Sequence, residues 1–282
     1  MYHNSLELTC PICNEPMHKI ADTYSLCKSC KYMYSSEQPR GGEEGESLEA
    51  VRRKNFKFIC NIIKEKFPKA KTILDVGCSK GIFLKVAQDE GFSVTGVEPS
   101  EHLAKETRSY GFNVVNDFFP QTENHSHKKY DIIIFNDSLE HIPNLSKILQ
   151  GIKTHLTEGG WAIINLPTSE GLIFKTAAIL YKLGIKSPYY RTWQKGFPSP
   201  HIHYFNLQNL KKLFENNGFA MNYSSYLPCY TIQGLWKRLS CKSSFIVSIF
   251  TWLFLVLLYP LISIRGETFM ACFSIKEELK RA

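Results

Sequence analysis

The chain of 282 residues predicts an α/β fold, a doubly wound and mostly parallel sheet. Three observations carry that expectation. From residue 48 onward, short apolar runs alternate with segments whose apolar residues recur at helical spacing. Tyr130-Asp-Ile-Ile-Ile-Phe135 is almost continuously apolar, as strands buried on both faces of a parallel sheet are. Ile73-Leu-Asp-Val76 runs straight into a glycine turn, Gly77-Cys-Ser-Lys-Gly81, and Glu98 follows at the end of the next strand. A strand, glycine turn, helix, strand and acid of this length form a nucleotide-binding half-sheet. Its glycines let the backbone approach the ligand, and its acid reaches a ribose hydroxyl pair.

Leu48–Phe67 reads as a helix through Leu48, Val51, Phe56, Ile59, Ile62 and Ile63, and leads through Pro68 to the opening strand at Thr72. Ile82, Phe83, Val86 and Ala87 share one face of the next helix, and Ser93–Val97 is the second strand. Ser100 caps a helix running to Tyr110, and Val114-Val115 is a short third strand. The strand at 130–135 ends in Asn136-Asp-Ser-Leu-Glu-His-Ile-Pro143. A helix over Leu145–Leu156 is closed by Glu158-Gly-Gly160, and Trp161–Leu166 is the fifth strand. Helix Leu207–Asn217, strand Phe219–Tyr226 and a last strand, Thr268–Ile275, complete the sheet. The polar residues fall at the carboxyl ends of the strands, where open α/β sheets bind ligands.

Ahead of this core, Cys10-Pro-Ile-Cys13 and Cys27-Lys-Ser-Cys30 are two C-x2-C pairs separated by thirteen residues. Two such turns joined by a hairpin bring four thiolates into a closed tetrahedron, so residues 1–36 read as a structural zinc knuckle with no position left for catalysis. Redox pairs or a disulfide staple are the competing readings, and the segment lacks the βαβ context of a redox C-x2-C motif. Residues 37–47, with Arg40-Gly-Gly-Glu-Glu-Gly45, read as a linker. Cys60, Cys78, Cys229, Cys241 and Cys272 are scattered and read as small core residues. The N-terminus shows no basic stretch followed by an apolar run, so no signal peptide is expected and the catalytic part is expected in the cytoplasm.

These ordered motifs resemble the class I S-adenosylmethionine-dependent methyltransferases, a Rossmann-like family, and within it the small-molecule and lipid branch that includes ubiquinone-type O-methyltransferases. The resemblance covers residues 48–230 and the last strand. It implies S-adenosylmethionine as cofactor, held by Asp75, Gly77, Cys78, Ser79 and Gly81 at the methionine end. Glu98 with Pro99 would serve the ribose, Asp117 and Phe118 the adenine, and Asn136 the end of the fourth strand. The loop Asp137–Pro143 and the turn Leu156–Gly160 match two further family motifs. Ser79 stands where the family has a glycine, which implies weaker or rearranged cofactor contacts. A dehydrogenase, the other common tenant of this fold, is disfavoured by Gly77-x3-Gly81 and by the Leu-Glu-His loop.

Transfer to a hydroxyl requires a base within hydrogen-bond reach. His141 beside Glu140 is the first candidate, with a purely loop-tying role as the alternative. In ubiquinone-type relatives this acidic and histidine loop is linked to a divalent ion, a role the resemblance extends to Glu140 and His141. His201-Ile-His203 is the second candidate, His203 or His201 facing the acceptor, or holding a lid instead.

Charge is uneven along the chain. Residues 171–282 hold fourteen Lys/Arg against four acids, whereas residues 1–170 hold twenty against twenty-two. Gly171–Ile185 is an apolar helix carrying lysines, in an insertion over 170–200. Within 231–266, Ser243–Ile264 is uncharged and flanked by Lys237, Arg238, Lys242 and Arg265. An interfacial anchor on an anionic membrane surface, a true transmembrane helix and a buried or dimer-forming helix all stay open, the first preferred. The resulting expectation is a methyltransferase, peripheral on the cytoplasmic face of a membrane, acting on a small-molecule, lipid-linked or glycan-precursor acceptor. An RNA methyltransferase and a non-catalytic cofactor-binding scaffold are the alternatives. Nucleic acid is disfavoured because the basic half is also apolar. Oligomeric state is not legible.

Overall fold

A computed structural model describes residues 8–38, 49–120, 128–228 and 266–276, with isolated positions between 236 and 260. The linker and most of the apolar segment 231–266 lie outside the described residues.

Seven strands form the central sheet: β4 (Thr72–Val76), β5 (Ser93–Val97), β6 (Val114–Val115), β7 (Tyr130–Asn136), β8 (Leu156–Pro167), β10 (Phe219–Leu227) and β11 (Thr268–Ile275). Their spatial order is β10-β11-β8-β7-β4-β5-β6, and β11 alone runs antiparallel to its neighbours. The period of two along each strand divides the core. Ile132 and Ile134 face a layer built from α1 (Glu49–Lys66) and α2 (Ile82–Asp89), with Phe56, Ile59, Ile63 and Phe83. Ile133 and Phe135 face the opposite layer, built from α4 (Leu145–His155) and α7 (Leu207–Asn216). Helix α3 (Glu101–Ser109) begins at Ser100, whose hydroxyl accepts from the Leu103 N–H as the capping pattern predicts.

At the amino ends of the central strands, the Asp131 carboxylate accepts the N–H groups of Lys71 and Thr72 at 2.9 and 3.0 Å and the Thr157 hydroxyl at 3.2 Å. One acid thereby ties β4, β7 and β8 in register. The structure departs from the sequence reading at the expected turn Leu156–Gly160. Those residues belong to β8 itself, and the excess is absorbed as a bulge, with Tyr130 opposite Leu156 and Ile132 already opposite Trp161.

The N-terminal hairpin, β1 (Met17–Ala21), β2 (Tyr24–Cys27) and β3 (Met33–Ser35), is not an isolated appendage. β3 pairs antiparallel with β9 (His203–Tyr204), a two-residue strand contributed by the main domain. Helix α7 also grips both knuckles: Asn209 donates to the Cys30 carbonyl at 3.2 Å and Asn216 to the Ile12 carbonyl at 2.7 Å. The insertion folds as α5 (Leu172–Lys182) and α6 (Ser187–Thr192) against the hairpin's outer face, where Tyr24 stacks on Trp193 at 4.6 Å. Cys60, Cys78 and Cys272 are buried thiols, as expected of core residues.

Candidate functional site

The carboxyl ends of β4 and β7 mark the point where the strand order reverses, the crevice in which such sheets take ligands. Asp75 is buried there and accepts from the Asn136 amide at 3.3 Å, and Asn165 of β8 in turn donates to Asn136 at 3.4 Å. Burial pushes the Asp75 carboxyl up to about 7, with Glu98 adding to the shift. Gly77 and Gly81 both take positive φ, 76° and 73°. A Cβ on Gly77 would meet the Ser138 Cβ at 2.9 Å, so this loop cannot carry a side chain there.

Ser79, the departure from the glycine pattern, also adopts the left-handed region at φ 46°. Two contacts hold it, and a third fixes its acid partner. Its N–H donates to Glu98 Oε2 at 2.9 Å, its carbonyl accepts from the Thr107 hydroxyl at 2.8 Å, and the other Glu98 oxygen accepts from the Ser100 N–H. Serine therefore reproduces the glycine's conformation, at the strain such a φ imposes on a residue with a Cβ. Burial raises the Glu98 carboxyl, while the N–H groups of Ser100 and Ser79 act to lower it. Asn116, which sequence reasoning did not single out, donates to the Glu98 and Pro99 carbonyls at 2.9 and 3.1 Å. Just beyond it Asp117 accepts the Phe118 N–H, and the Phe118 ring is 73% exposed at the edge of the sheet.

The loop after β7 carries a short 3₁₀ turn, Leu139–His141. Glu140 is buried, and His141 lies beside it at 4.0 Å with its Nδ1 3.0 Å from the Pro200 carbonyl. A carbonyl can only accept, so Nδ1 carries the proton and Nε2 is the basic nitrogen of the neutral ring. The His201 ring packs on His141 at 4.9 Å, and burial with the nearby His141 holds His201 far below its usual value, hence neutral. Glu140, His141 and His201 offer ligand atoms within 4.8 Å of one another, a spacing that could hold a metal ion. Arg52 of α1, a second residue not picked out from the sequence, reaches Asp137 at 3.6 Å on the same rim.

His203 stands apart from this group. Its Nε2–H donates to the Ile142 carbonyl at 2.9 Å, and its Nδ1 accepts from the Tyr32 hydroxyl inside the joint between β3 and β9. Both ring nitrogens are engaged in protein contacts and the side chain is buried, so the ring expected to face an acceptor instead bonds the knuckle to the 140–143 loop. Of the two histidines in that segment, His201 is the one brought to Glu140 and His141.

In the knuckles, Cys10, Cys13, Cys27 and Cys30 hold their sulfurs within 4.8 Å of one another, with Cys10–Cys30 at 3.6 Å and Cys13–Cys27 at 3.4 Å. The two turns repeat the same geometry. The Asn14 N–H donates to the Cys10 carbonyl and the Lys31 N–H to the Cys27 carbonyl, and both donors sit at positive φ, 62° and 61°. Tetrahedral thiolates about 2.3 Å from a zinc ion stand about 3.8 Å apart, so the donor set fits that ion.

A methyltransferase-domain family model matches residues 48–224, well over half of the chain and every strand of the crevice except β11. The chain belongs to this methyltransferase family. Its similarity to curated relatives is concentrated in a shorter stretch. It is 31% identical to the ubiquinone biosynthesis O-methyltransferase of Hydrogenovibrio crunogenus over 101 residues, 34% of this chain and 42% of that protein. To the Actinobacillus pleuropneumoniae serotype 5b protein of the same name it is 34% identical over 101 residues, 32% of this chain and 43% of the relative. The methyltransferase chain thus spans about two-fifths of the length of these relatives. Among solved structures, a putative sarcosine dimethylglycine methyltransferase from Galdieria sulphuraria covers 86% of this chain and 95% of its own, with TM-score 0.56 and 14% identity. A possible histamine N-methyltransferase from Thermotoga maritima covers 82% and 94%, with TM-score 0.51 and 16% identity. At such identities the likeness is one of fold. The methyltransferase match includes the cradle, Glu98 and the His141 loop, and begins after the knuckles.

Proposed function

We propose that the protein transfers a methyl group from S-adenosylmethionine to a hydroxyl of a small-molecule acceptor, one that is lipid-linked or a glycan precursor. The observation that carries this reading is the pair of buried carboxylates, Asp75 and Glu98, at the reversal point of a methyltransferase sheet, with His141 on the adjoining loop. S-adenosylmethionine is a cation with a ribose, so acids at these two positions suit it, and the cofactor would supply an electrophilic methyl group. Asp75, Gly77, Cys78, Ser79 and Gly81 would line its methionine end and Asn136 the floor between the strands. Glu98 with Pro99 would hold its ribose, and Asp117 with Phe118 would cover its adenine.

His141 would act as general base. Its Nδ1–H is held by Pro200, and Nε2, beside Glu140, would take the acceptor's hydroxyl proton. Glu140 and His201 would orient that ring, and a base of this kind contributes about 10²–10⁴ in rate. In lipid and glycan extracts from cells lacking the gene, purified protein with methyl-labelled S-adenosylmethionine is expected to label an acceptor. His141→Ala should lower the rate by that factor while calorimetry finds unchanged affinity for S-adenosylhomocysteine. Full rates in His141→Ala would remove its role as base, and absence of labelling with wild type would remove the proposed acceptor class.

Cys10, Cys13, Cys27 and Cys30 would bind one structural zinc ion, as their spacing allows. The expected metal content is about one zinc per chain by plasma mass spectrometry, lost in Cys27→Ser. Metal-free wild type prepared without chelator would contradict this. The basic, apolar half would keep the enzyme peripheral on the cytoplasmic face of an anionic membrane, near lipid-borne acceptors.

A further inference from the structure

Helix α5 has two faces of different character. One buries Phe174 and Ala177 against Tyr24, Tyr189, Trp193 and Tyr204. The other carries Lys175, Ile179, Lys182 and Leu183, continued past the helix end by Ile185 and Lys186. On a helix lying against a folded protein, that outer stripe is ordinarily polar. Here Ile179 is 60% exposed, Leu183 72% and Ile185 53%. Three large aliphatic side chains within seven residues thus stand in solvent, interleaved with lysines. Residues 171–214 contain seven Lys/Arg and no Asp or Glu, and the acids that act on these lysines, Glu267 on Lys175 and Asp22 on Lys186, come from elsewhere in the chain.

A second observation concerns where this helix is fastened. The Glu267 carboxylate accepts the Ile173 N–H at 3.1 and 3.2 Å, at the first turn of α5, and the Glu267 carbonyl accepts the Thr168 N–H at 2.9 Å. Gly171 is required at this junction, since a Cβ there would lie 2.1 Å from a Glu267 oxygen. Glu267 follows directly on the apolar segment 231–266, in which Phe245, Leu253 and Leu257 are 69%, 52% and 79% exposed. The first turn of α5 is therefore fixed to the residue that stands just after the apolar segment.

From these observations we infer that the outer stripe of α5, from Lys175 to the tip at Lys186, is the surface that contacts an anionic lipid bilayer. Ile179, Leu183 and Ile185 enter the interfacial region, and Lys175, Lys182 and Lys186 meet the lipid phosphates. This rests on the proposed membrane-peripheral reading and assigns its contact face. Charge selects the occupant. An all-basic, aliphatic stripe complements acidic headgroups over hydrocarbon, whereas a second copy would set these lysines against one another. The aromatic inner face of the same helix packs on Tyr204, next to His203 in β9 and against the His201 ring, so the lipid-contacting element borders the loop that carries His141.

The test uses the full chain and two vesicle compositions, phosphatidylcholine alone and phosphatidylcholine with phosphatidylglycerol. Wild type is expected to co-sediment with the anionic vesicles, less so with the neutral ones, and to be released by salt. Ile179→Asp/Leu183→Asp/Ile185→Asp should lower that partitioning about tenfold or more. Lys182→Glu/Lys186→Glu should lower it on anionic vesicles alone. Both variants should keep wild-type melting temperature and S-adenosylhomocysteine affinity, because none of these side chains enters the core or the crevice. Wild-type partitioning in both variants would overturn the assignment of this face while leaving the membrane reading intact. Failure of wild type to bind either vesicle would overturn both. A wild-type dimer in light scattering that the aspartate variant dissociates, without vesicle binding, would assign the stripe to a second copy instead.

Discussion

Replacing Glu98 with alanine is expected to weaken S-adenosylhomocysteine binding by about 150- to 900-fold, the range given by losing two hydrogen bonds to a charged acceptor at roughly 1.5–2 kcal/mol each. On the proposed function the carboxylate would have two tasks. Both its oxygens accept from the Ser79 and Ser100 N–H groups, which fixes the cradle and the start of α3. Its remaining lone pairs would accept from the ribose hydroxyls. Glu98→Gln retains a single amide oxygen as acceptor, so its affinity should fall between wild type and Glu98→Ala. Calorimetry at pH 7 on the three proteins separates these contributions. Affinity within threefold of wild type in Glu98→Ala would show that the ribose is held elsewhere.

A second large effect belongs to His203. Burial holds its imidazole down to about 4, against 6.5 unperturbed, with the Ile142 and Pro143 carbonyls opposing the shift. In the unfolded chain the same ring binds a proton below about pH 6.5. The unfolded state therefore holds more protons between 6.5 and 4, and stability due to this group is full above 6.5 and lost as pH falls through that window. Between pH 7.5 and 4.5 the loss is roughly 2–3 kcal/mol. Asp75 works in the opposite sense, since a carboxyl raised to about 7 favours the folded state as pH drops. The His203 share is consequently read as a difference. His203→Gln should be less stable than wild type at pH 7.5, and the gap should close by about 2–3 kcal/mol at pH 4.5 in urea titrations. A gap constant within about 1 kcal/mol would mean that the ring is not buried neutral in the Tyr32–Ile142 joint.

The parallel sheet was legible because strands buried on both faces must be apolar throughout, which is how Ile132–Phe135 and Ile163–Ile164 read. The antiparallel return at Thr268–Ile275 was equally clear, as were the knuckle thiols, whose spacing is a local constraint. What stayed hidden depends on contacts between distant parts of the chain. A two-residue strand such as His203–Tyr204 has no periodicity to detect, so its pairing with β3 left no trace in the sequence. The division of labour between His201 and His203 follows from that pairing and could not be anticipated without it. Asn116, Asn209 and Asn216 act through amide donors to backbone carbonyls, and an asparagine in a loop or on a helix carries no mark of its partner. Glu267 was overlooked because a single acid after an apolar stretch is ordinary. Its meaning lies in Gly171 and the first turn of α5, almost a hundred residues earlier.

The shared sheet also bears on how the chain comes to be folded. β3 is the outermost strand of the hairpin until β9 arrives, and β9 lies about 170 residues downstream. During synthesis the hairpin therefore exposes an unpaired strand edge until β9 is made, the kind of edge that recruits other chains. Binding of a metal by the four thiols would hold the two turns of the hairpin together while that edge waits for its partner. The hairpin and the main domain thus complete one sheet between them, and the hairpin's last strand has its partner only once β9 exists.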